Sequence, residues 1–321
     1  MGTAYLAVVT PVYATKQNRR FDYFQNTAGS VLAQTADFQW IVVDDGSPDQ
    51  RPREFLQDLH DPRIKLLTRR RQPGDLRTAS NALNLGFNHA VKETLCDCFC
   101  YVHSDDLLPK DSLSRRMAAL DSCGMLYGKI CVFSSEYTIS KSSFENPLDT
   151  KNMKSGFPHH TSTWSRQFLE EMLAKRGGVL FDPNFSYGED LDVTCCARRV
   201  LESTDLRLGF LDKVVYIWVG NPKNISAETP NKERRRQRKA ILAKNGYSEE
   251  PFSWSDFVND FIRRPGHFLP ESIKRRVRPH TGTISRLSRG FFFPNAYQTC
   301  EIEINPFWFL ENQPQNRKVY I

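Results

Sequence analysis

Short apolar runs alternate with stretches of helical periodicity through the first 120 residues of the chain. The apolar runs predict strands at residues 5–10, 39–43, 63–68 and 98–102. Apolar residues recur at helical spacing between them, which predicts helices at residues 21–34, 51–59, 76–91 and 110–120. This alternation is typical of an α/β domain with a mostly parallel central sheet that is covered by helices on both faces.

The pattern is less regular in the second half of the chain. A strand is predicted at residues 126–133 and a helix at 191–201, and the polar segment 134–156 is predicted to be a loop over a cleft. Helical character returns at residues 231–244 and 254–264, among basic and aromatic clusters. We therefore divide the chain into an α/β domain, residues 1–226, and a basic, aromatic and helical extension, residues 227–321.

Two pairs of adjacent acids follow predicted strands, Asp44 with Asp45 and Asp105 with Asp106. Adjacent carboxylates at the end of a buried strand repel each other, and a cation that also binds a polyphosphate would relieve this repulsion. The alternative for the second pair is that one acid caps the following helix. A helix cap does not require a second acidic pair, and ligands of such sheets bind beyond the carboxyl ends of the strands. The sequence therefore favours a ligand site at the carboxyl ends of the strands.

The usual phosphate-binding loops are absent from the sequence. No Gly-x-Gly-x-x-Gly follows the first strand, and no Gly-x-x-x-x-Gly-Lys-Ser/Thr occurs anywhere. A bound phosphate would have to be held by a metal ion and basic side chains, among which Arg77 is a candidate, although it is equally compatible with an ordinary surface arginine. Tyr13 offers a ring on which a nucleobase can stack, and an acid of the 44–45 pair can accept a ring N–H.

Composition excludes several other classes of protein. Apolar residues make up 40% and charged residues 25% of the 321 residues, as in ordinary globular proteins. No run of about 18 apolar residues predicts a membrane span, and no basic leader precedes the first strand. The eight cysteines follow no disulfide or zinc spacing, so we expect buried, reduced thiols and a cytoplasmic location.

The net charge of +7 is concentrated in the last third of the chain. From residue 230 onward there are 17 Lys and Arg against 9 Asp and Glu, and the remainder has 27 against 28. Two basic clusters, residues 232–239 and 274–278, are suited to an anionic membrane surface, a nucleic acid or a phosphorylated acceptor. A solvated helix face is the alternative for each cluster. The aromatic clusters at 291–293 and 305–310 suit either packing onto the α/β domain or a membrane surface.

Five short motifs together resemble family 2 glycosyltransferases, in that family's order and at about its spacing. They are V-T-P-V-Y at 9–13, W-I-V-V-D-D-G-S at 40–47, A-L-N-L-G-F-N-H-A at 82–90, S-D-D at 104–106 and G-E-D at 188–190. The resemblance extends from residue 4 to about 226. It implies the GT-A fold, a nucleoside-diphospho-sugar donor, a divalent metal ion, either Mn²⁺ or Mg²⁺, and inversion at the anomeric carbon.

The resemblance also implies roles for individual residues. The donor nucleotide is expected to contact Pro11, Tyr13, one of Asp44 and Asp45, Arg77, Asn84, Ser104 and Asp105, with Asp106 as the metal ligand. Asp190 is the implied general base and Glu189 the second candidate, whereas compensation of a helix dipole is the alternative for both. His103, Leu83 and Asn221 stand where the family often has Asp, Arg and His, which leaves the nucleotide, the sugar and the tightness of metal binding open.

The leading hypothesis is an inverting, metal-assisted glycosyltransferase. Its expected partners are a UDP-sugar donor and a glycan, lipid-linked or other cell-surface acceptor, with peripheral contact to an anionic membrane left open. A nucleotidyltransferase of similar fold is the alternative enzyme, but residues 10–18 lack the glycine-rich loop that it needs. A nucleic-acid-binding protein would leave the acidic edge unexplained, so nucleic acid is not an expected partner.

Overall fold

The computed structural model describes residues 5–18, 20–120, 123–133, 139–142, 159–219 and 229–247. These residues belong to the first of two compact units into which the chain divides, and the second unit, residues 248–302 with 317–321, lies outside the described residues. The strands are β1 Leu6–Val12, β2 Phe38–Asp44, β3 Ile64–Thr68, β4 Cys98–Tyr101, β5 Met125–Phe133, β6 Ile139–Ser142, β7 Thr163–Ser165 and β8 Leu208–Val219. The helices are α1 Arg20–Leu32, α2 Arg51–Asp58, α3 Ser80–Glu93, α4 Ser112–Leu120, α5 Arg166–Lys175, α6 Glu189–Ser203 and α7 Asn231–Lys244.

The eight strands form one sheet in the order β3-β2-β1-β4-β7-β5-β6, with β8 also paired to β5. The first four strands in this order run parallel to one another. Strand β7 is antiparallel to both β4 and β5, while β8 runs parallel to β5. The predicted α/β class with a mostly parallel central sheet is therefore confirmed. The parallel half brings the carboxyl ends of β1, β2 and β4 to one edge.

Apolar residues fill both sides of the sheet, since the central strands are buried on both faces. In β2, Trp40 and Val42 belong to the core on one side, together with Phe24 of α1. Ile41 and Val43 belong to the core on the other side, together with residues of α3. A strand that is buried on both faces has a continuous apolar run rather than alternation. This is why residues 39–43 could be recognised as a strand.

Helix α3 lies close to the sheet because Gly86 has no side chain. A Cβ atom at this position would overlap with the side chain of Val9 in β1 and lie 3.1 Å from Cγ2 of Val43 in β2. A larger residue would have to push the helix away from both strands. Gly86 therefore fixes the distance between α3 and the strands whose ends form the site.

Three elements differ from the predictions. The segment 134–156 was expected to be a loop, but it contains strand β6, and its remaining residues lie outside the described ones. Strand β7 has only three residues, too few for a periodicity to be recognised. Strand β8 was not predicted because Asp212 and Lys213 interrupt its apolar run, at the point where its pairing with β5 becomes irregular.

The predicted domain boundary at residue 226 does not coincide with the end of the first compact unit, which continues through Tyr247. Helix α7 packs on α6, and Ile241 and Leu242 form a small core with Leu191 and Cys195. Buried apolar contacts of this kind make the first part of the predicted extension an integral part of the α/β unit. The helix predicted at 254–264 and the aromatic clusters lie outside the described residues.

The described helices and cysteines can be compared with the predictions about membrane spans and thiols. No helix in the described part of the chain combines the length and apolarity that a membrane crossing requires. The described cysteines are free thiols, five of them buried, and burial raises the pKa of the Cys98 thiol to about 12. Thiols protected from ionisation in this way are poor nucleophiles. This agrees with the structural role predicted for them.

Replacement of Ile241 tests whether α7 is part of the folded unit. Its side chain is fully buried, so Ile241→Ala should lower the free energy of unfolding by about 2–5 kcal/mol. The control is Leu95→Ala, because Leu95 is 93% exposed and its loss should change this free energy by less than about 0.5 kcal/mol. Urea denaturation of the full chain measures both. Equal midpoints for the two variants would show that α7 is not docked on α6.

Candidate functional site

A cavity of about 220 Å³ opens at the carboxyl ends of β1, β2 and β4 and is closed on its far side by the start of α6. The location is the one that parallel sheets use for ligands. The structure brings most of the predicted site residues together there, namely Pro11, Tyr13, Asp45, Arg77, Ser104, Asp105, Asp106, Glu189 and Asp190. Asp44 and Asn84 are not part of the lining.

Asp45 and Tyr13 lie on one wall of the cavity, and two arginines contact them. Asp45 forms an ion pair with Arg69, and Nη1 of Arg71 lies 3.6 Å from its Oδ2. The guanidinium of Arg71 also covers the ring of Tyr13, at 4.7 Å from the ring centre. Burial nevertheless raises the pKa of Asp45. An aromatic ring, an acid and two cations form a wall that suits a base and phosphates.

The structure distinguishes the two acids that follow β2. The carboxylate of Asp44 accepts a hydrogen bond of 2.9 Å from the Ser47 N–H and forms an ion pair with Arg53. Only 1% of its surface is exposed. Asp44 therefore holds the turn after β2, and its neighbour Asp45 faces the cavity. Of the two acids between which the sequence left the donor contact open, Asp45 is the one placed at the cavity.

Asn84 is likewise occupied away from the cavity. Its side-chain amide donates to the carbonyl of Phe181 at 2.7 Å and accepts from the Phe181 N–H at 2.8 Å. These two bonds attach the segment before α6 to helix α3. The structure therefore gives Asn84 a positioning role, and its contact with the donor stays a prediction.

Asp105 and Asp106 form the acidic centre of the site. Asp105 pairs with Arg20, a residue that the sequence analysis did not identify. Asp106 is 2% exposed and accepts hydrogen bonds from the Tyr216 hydroxyl at 2.7 Å and the Val219 N–H at 2.8 Å. Burial and the charge of Asp105 hold the pKa of Asp106 well above its usual range.

The donor set suits a hard divalent cation with part of its ligand shell supplied by a substrate. Each carboxylate oxygen of Asp106 accepts one hydrogen bond and retains a second lone pair. Tyr216 and Val219 fix the orientation of the carboxylate, as outer-shell partners of metal ligands do. The described residues contain no cluster of three or more His, Cys, Asp or Glu side chains that would hold a metal by themselves. Carboxylates with phosphate oxygens are a suitable shell for Mg²⁺ or Mn²⁺.

The start of α6 forms the opposite wall. Gly188 precedes the helix with φ of 83°, in the left-handed region that favours glycine. Glu189 and Asp190 follow in the first turn and line the cavity. Burial and the negative charge of Asp190 raise the pKa of Glu189 to about 7. Both acids lie in the first turn of α6, a position that also suits compensation of the helix dipole.

Two histidines connect the walls. His103 and His160 line the cavity with their ring centres 5.1 Å apart, and His160 lies 5.4 Å from the ring of Tyr216. Burial lowers the pKa of His103, which favours its neutral form.

The cavity also contains residues that the sequence analysis did not identify, namely Asn18, Arg20, Arg71, Thr78, Tyr187 and Trp218. All six lie outside the five motifs, so the motif pattern carried no signal for them.

Comparisons with known proteins agree with this geometry. The model of the family described as glycosyl transferase family 2 matches residues 7–177. No curated protein matches the chain by sequence. Among solved structures, S. aureus TarS 1–349 in complex with UDP-GlcNAc is 17% identical with a TM-score of 0.56, over 97% of this chain and 98% of that chain. The complex of the same fragment with UDP is 18% identical with a TM-score of 0.53, at the same coverage.

The structural likeness shows that the fold is GT-A. The sequence match covers more than half of the 321 residues and includes four of the five motifs. The fifth, at 188–190, lies in the same cavity as the others. The predicted resemblance is confirmed: the chain is a glycosyltransferase and belongs to glycosyl transferase family 2.

Proposed function

We propose that this enzyme transfers a sugar from a UDP-sugar to a hydroxyl of a glycan, lipid-linked or other cell-surface acceptor, with inversion at the anomeric carbon. The observation that carries the proposal is the division of one cavity into two walls. One wall has the aromatic, acidic and basic groups that a nucleoside diphosphate requires, and the other has a carboxyl pair at the start of α6.

The donor side is supported by the chemistry of Tyr13, Asp45 and the arginines beside them. Tyr13 provides a ring for base stacking, and Asp45 provides an acceptor for the ring N–H of uracil. Arg20, Arg71 and Arg77 line the cavity and supply positive charge for the phosphates. The compared TarS structures contain UDP-GlcNAc and UDP, which supports uridine as the base.

A divalent cation, Mn²⁺ or Mg²⁺, would be held by Asp106, with Asp105 beside it. When bound, it stabilises the negative charge of the departing diphosphate. Tyr216 and Val219 keep the carboxylate of Asp106 aimed by their hydrogen bonds. Arg20 balances the charge of Asp105, so the acidic pair can remain close together before a donor binds.

The general base is proposed to be Asp190. It must accept the proton of the acceptor hydroxyl as the oxygen attacks the anomeric carbon and the bond to the diphosphate breaks. Asp190 lines the cavity in the first turn of α6, beside Glu189, so its carboxylate belongs to the wall opposite the groups proposed to bind the donor. Direct attack with one base requires no covalent sugar intermediate and inverts the configuration.

The two acids after β2 should respond differently to substitution. Asp45→Asn should weaken the thermal stabilisation by UDP and reduce its preference over GDP, since the acceptor for the uracil N–H is altered. Asp44→Asn should instead lower the free energy of unfolding by about 1–3 kcal/mol, because a buried hydrogen-bonded carboxylate is lost. Thermal-shift and urea measurements separate the two effects. Stronger stabilisation of the wild type by GDP than by UDP would contradict the uridine assignment.

Asp106→Asn should abolish the Mn²⁺-dependent stabilisation by UDP without loss of the fold. Because the pKa of Asp106 is raised in the folded state, its ionised form costs folding free energy above the unfolded pKa, and removal of the charge removes this cost. The metal-free variant should therefore melt no lower than the wild type at pH 7. Asp58→Asn, an exposed acid on α2, is the control and should retain the response to Mn²⁺ and UDP. A lower melting temperature for metal-free Asp106→Asn would indicate a structural cap.

Asp190→Asn should reduce turnover by about 10² to 10⁴, which is the usual contribution of a positioned base. Binding of UDP with Mn²⁺ should remain unchanged, since no donor contact is removed. Glu189→Gln is the matched variant from the same helical turn and should lose less activity. A larger loss for Glu189→Gln would make Glu189 the base, and a trapped glycosyl-enzyme adduct would contradict inversion.

A further inference from the structure

Arg20 supplies a positive charge at the acidic centre. Its guanidinium forms an ion pair with the carboxylate of Asp105, and both side chains are mostly buried, with 17% and 10% of their surface exposed. Both residues line the cavity. The charge of Arg20 also lowers the pKa of Asp106, although burial and Asp105 raise it by more. A cation of the chain itself therefore lies beside the carboxylate that is proposed to bind the divalent ion.

The backbone of Arg20 is held in place because helix α1 is bound to the segment that carries the two acids. The Thr27 hydroxyl donates to the carbonyl of Asp106 at 2.8 Å. Two turns further along α1, the side-chain nitrogen of Gln34 donates to the carbonyl of Pro109 at 2.8 Å. Both bonds are buried. Helix α1 therefore keeps Arg20 beside the acids, and an exchange of its partner requires only its side chain to move.

Asn18 attaches the start of α1 to the wall on which the base is proposed to stack. Its side-chain oxygen accepts a hydrogen bond from the Arg20 N–H at 2.9 Å, and its nitrogen donates to the carbonyl of Tyr13 at 3.1 Å. Asn18 and Tyr13 both line the cavity. Arg20 is thus connected through its backbone to the base wall and through its guanidinium to the acidic centre. Arginine also binds phosphate oxygens well, since its planar fork donates two parallel hydrogen bonds.

We propose that Arg20 is an internal counter-ion that holds Asp105 until the donor binds, and that it then exchanges this carboxylate for the diphosphate. The inference rests on the proposed function, since it assigns an order of binding to the same site. A divalent ion that enters alone meets the charge of Arg20, and displacement of Arg20 from Asp105 leaves a mostly buried guanidinium unpaired. A diphosphate that enters with the ion gives Arg20 a new partner. The site therefore takes up the metal ion with the donor rather than before it.

Two simpler roles for Arg20 lead to different expectations. If the pair with Asp105 is only structural, it persists in the loaded site, and loss of Arg20 changes stability without weakening the binding of UDP. If Arg20 is only a phosphate ligand, its loss weakens the binding of UDP and leaves the affinity for Mn²⁺ alone unchanged. An exchange of partner requires both effects with opposite signs, because Arg20 competes with the ion before the donor binds and holds the donor afterwards.

The test measures two affinities of the full chain. Binding of Mn²⁺ alone is followed by the electron paramagnetic resonance signal of the free ion, and binding of UDP at saturating Mn²⁺ by calorimetry. Arg20→Gln removes the cation, and Arg20→Lys keeps a positive charge at the pair, so it tests the proposal even where Arg20→Gln does not fold. The matched control is Arg115→Gln, which loses the same charge from an exposed pair with Asp111, away from the cavity lining. Circular dichroism verifies the fold of each variant.

Arg20→Gln should bind Mn²⁺ alone about 10-fold more tightly than the wild type, and UDP at saturating Mn²⁺ about 10-fold more weakly, as expected for one hydrogen bond to a charged group. Arg115→Gln and Arg20→Lys should bind Mn²⁺ alone as the wild type does. Unchanged affinity of Arg20→Gln for either ligand, or tighter binding of Mn²⁺ alone by Arg20→Lys, would overturn the proposal. A wild type that does not bind UDP with Mn²⁺ would reject the proposed function, and this inference with it.

Discussion

The candidate site depends on how a buried carboxylate, Asp106, is held at the end of β4. Desolvation and the adjacent Asp105 both disfavour its charge. The hydrogen bonds from Tyr216 and Val219 oppose this cost and tie the end of β4 to β8. Strand β8 is distant from β4 in the sequence. The acidic centre is therefore complete only when the half of the sheet that contains β7, β5 and β8 has formed. An ionised buried group of this kind is stable only with such partners.

A second set of contacts fixes the two walls of the cavity relative to each other. One wall contains Tyr13 and Asp45, and the other is the start of α6. Gly86 lets α3 approach β1 and β2, and Asn84, two residues earlier, binds the backbone of Phe181 on both its donor and acceptor sides. One helix therefore sets the positions of both walls. Asp192 continues this arrangement behind the cavity, since it is fully buried and pairs with Arg176 and Lys244. Helix α6, which carries the proposed base, is thus tied to the basic helix α7.

Much of the site could be predicted from the sequence, because its residues lie where parallel strands end. Tyr13 and Asp105 follow apolar runs that the hydrophobic pattern identified, and both line the cavity. The pattern could not separate Asp44 from Asp45. That choice depends on the turn after β2, in which the Ser47 N–H and Arg53 bind the first acid. Arg20 and Tyr216 were missed because their partners are distant in the sequence.

The sequence by itself determined the α/β class, the edge at which the ligand site lies and the family, since continuous apolar runs and local motifs carry this information. Tertiary structure decided which polar groups face the cavity, because hydrogen-bond partners and burial are set by contacts between distant segments. It also decided that α7 belongs to the α/β unit. A basic helix looks the same in sequence whether it is solvated or docked, and only the burial of Ile241 and Leu242 against α6 distinguishes the two.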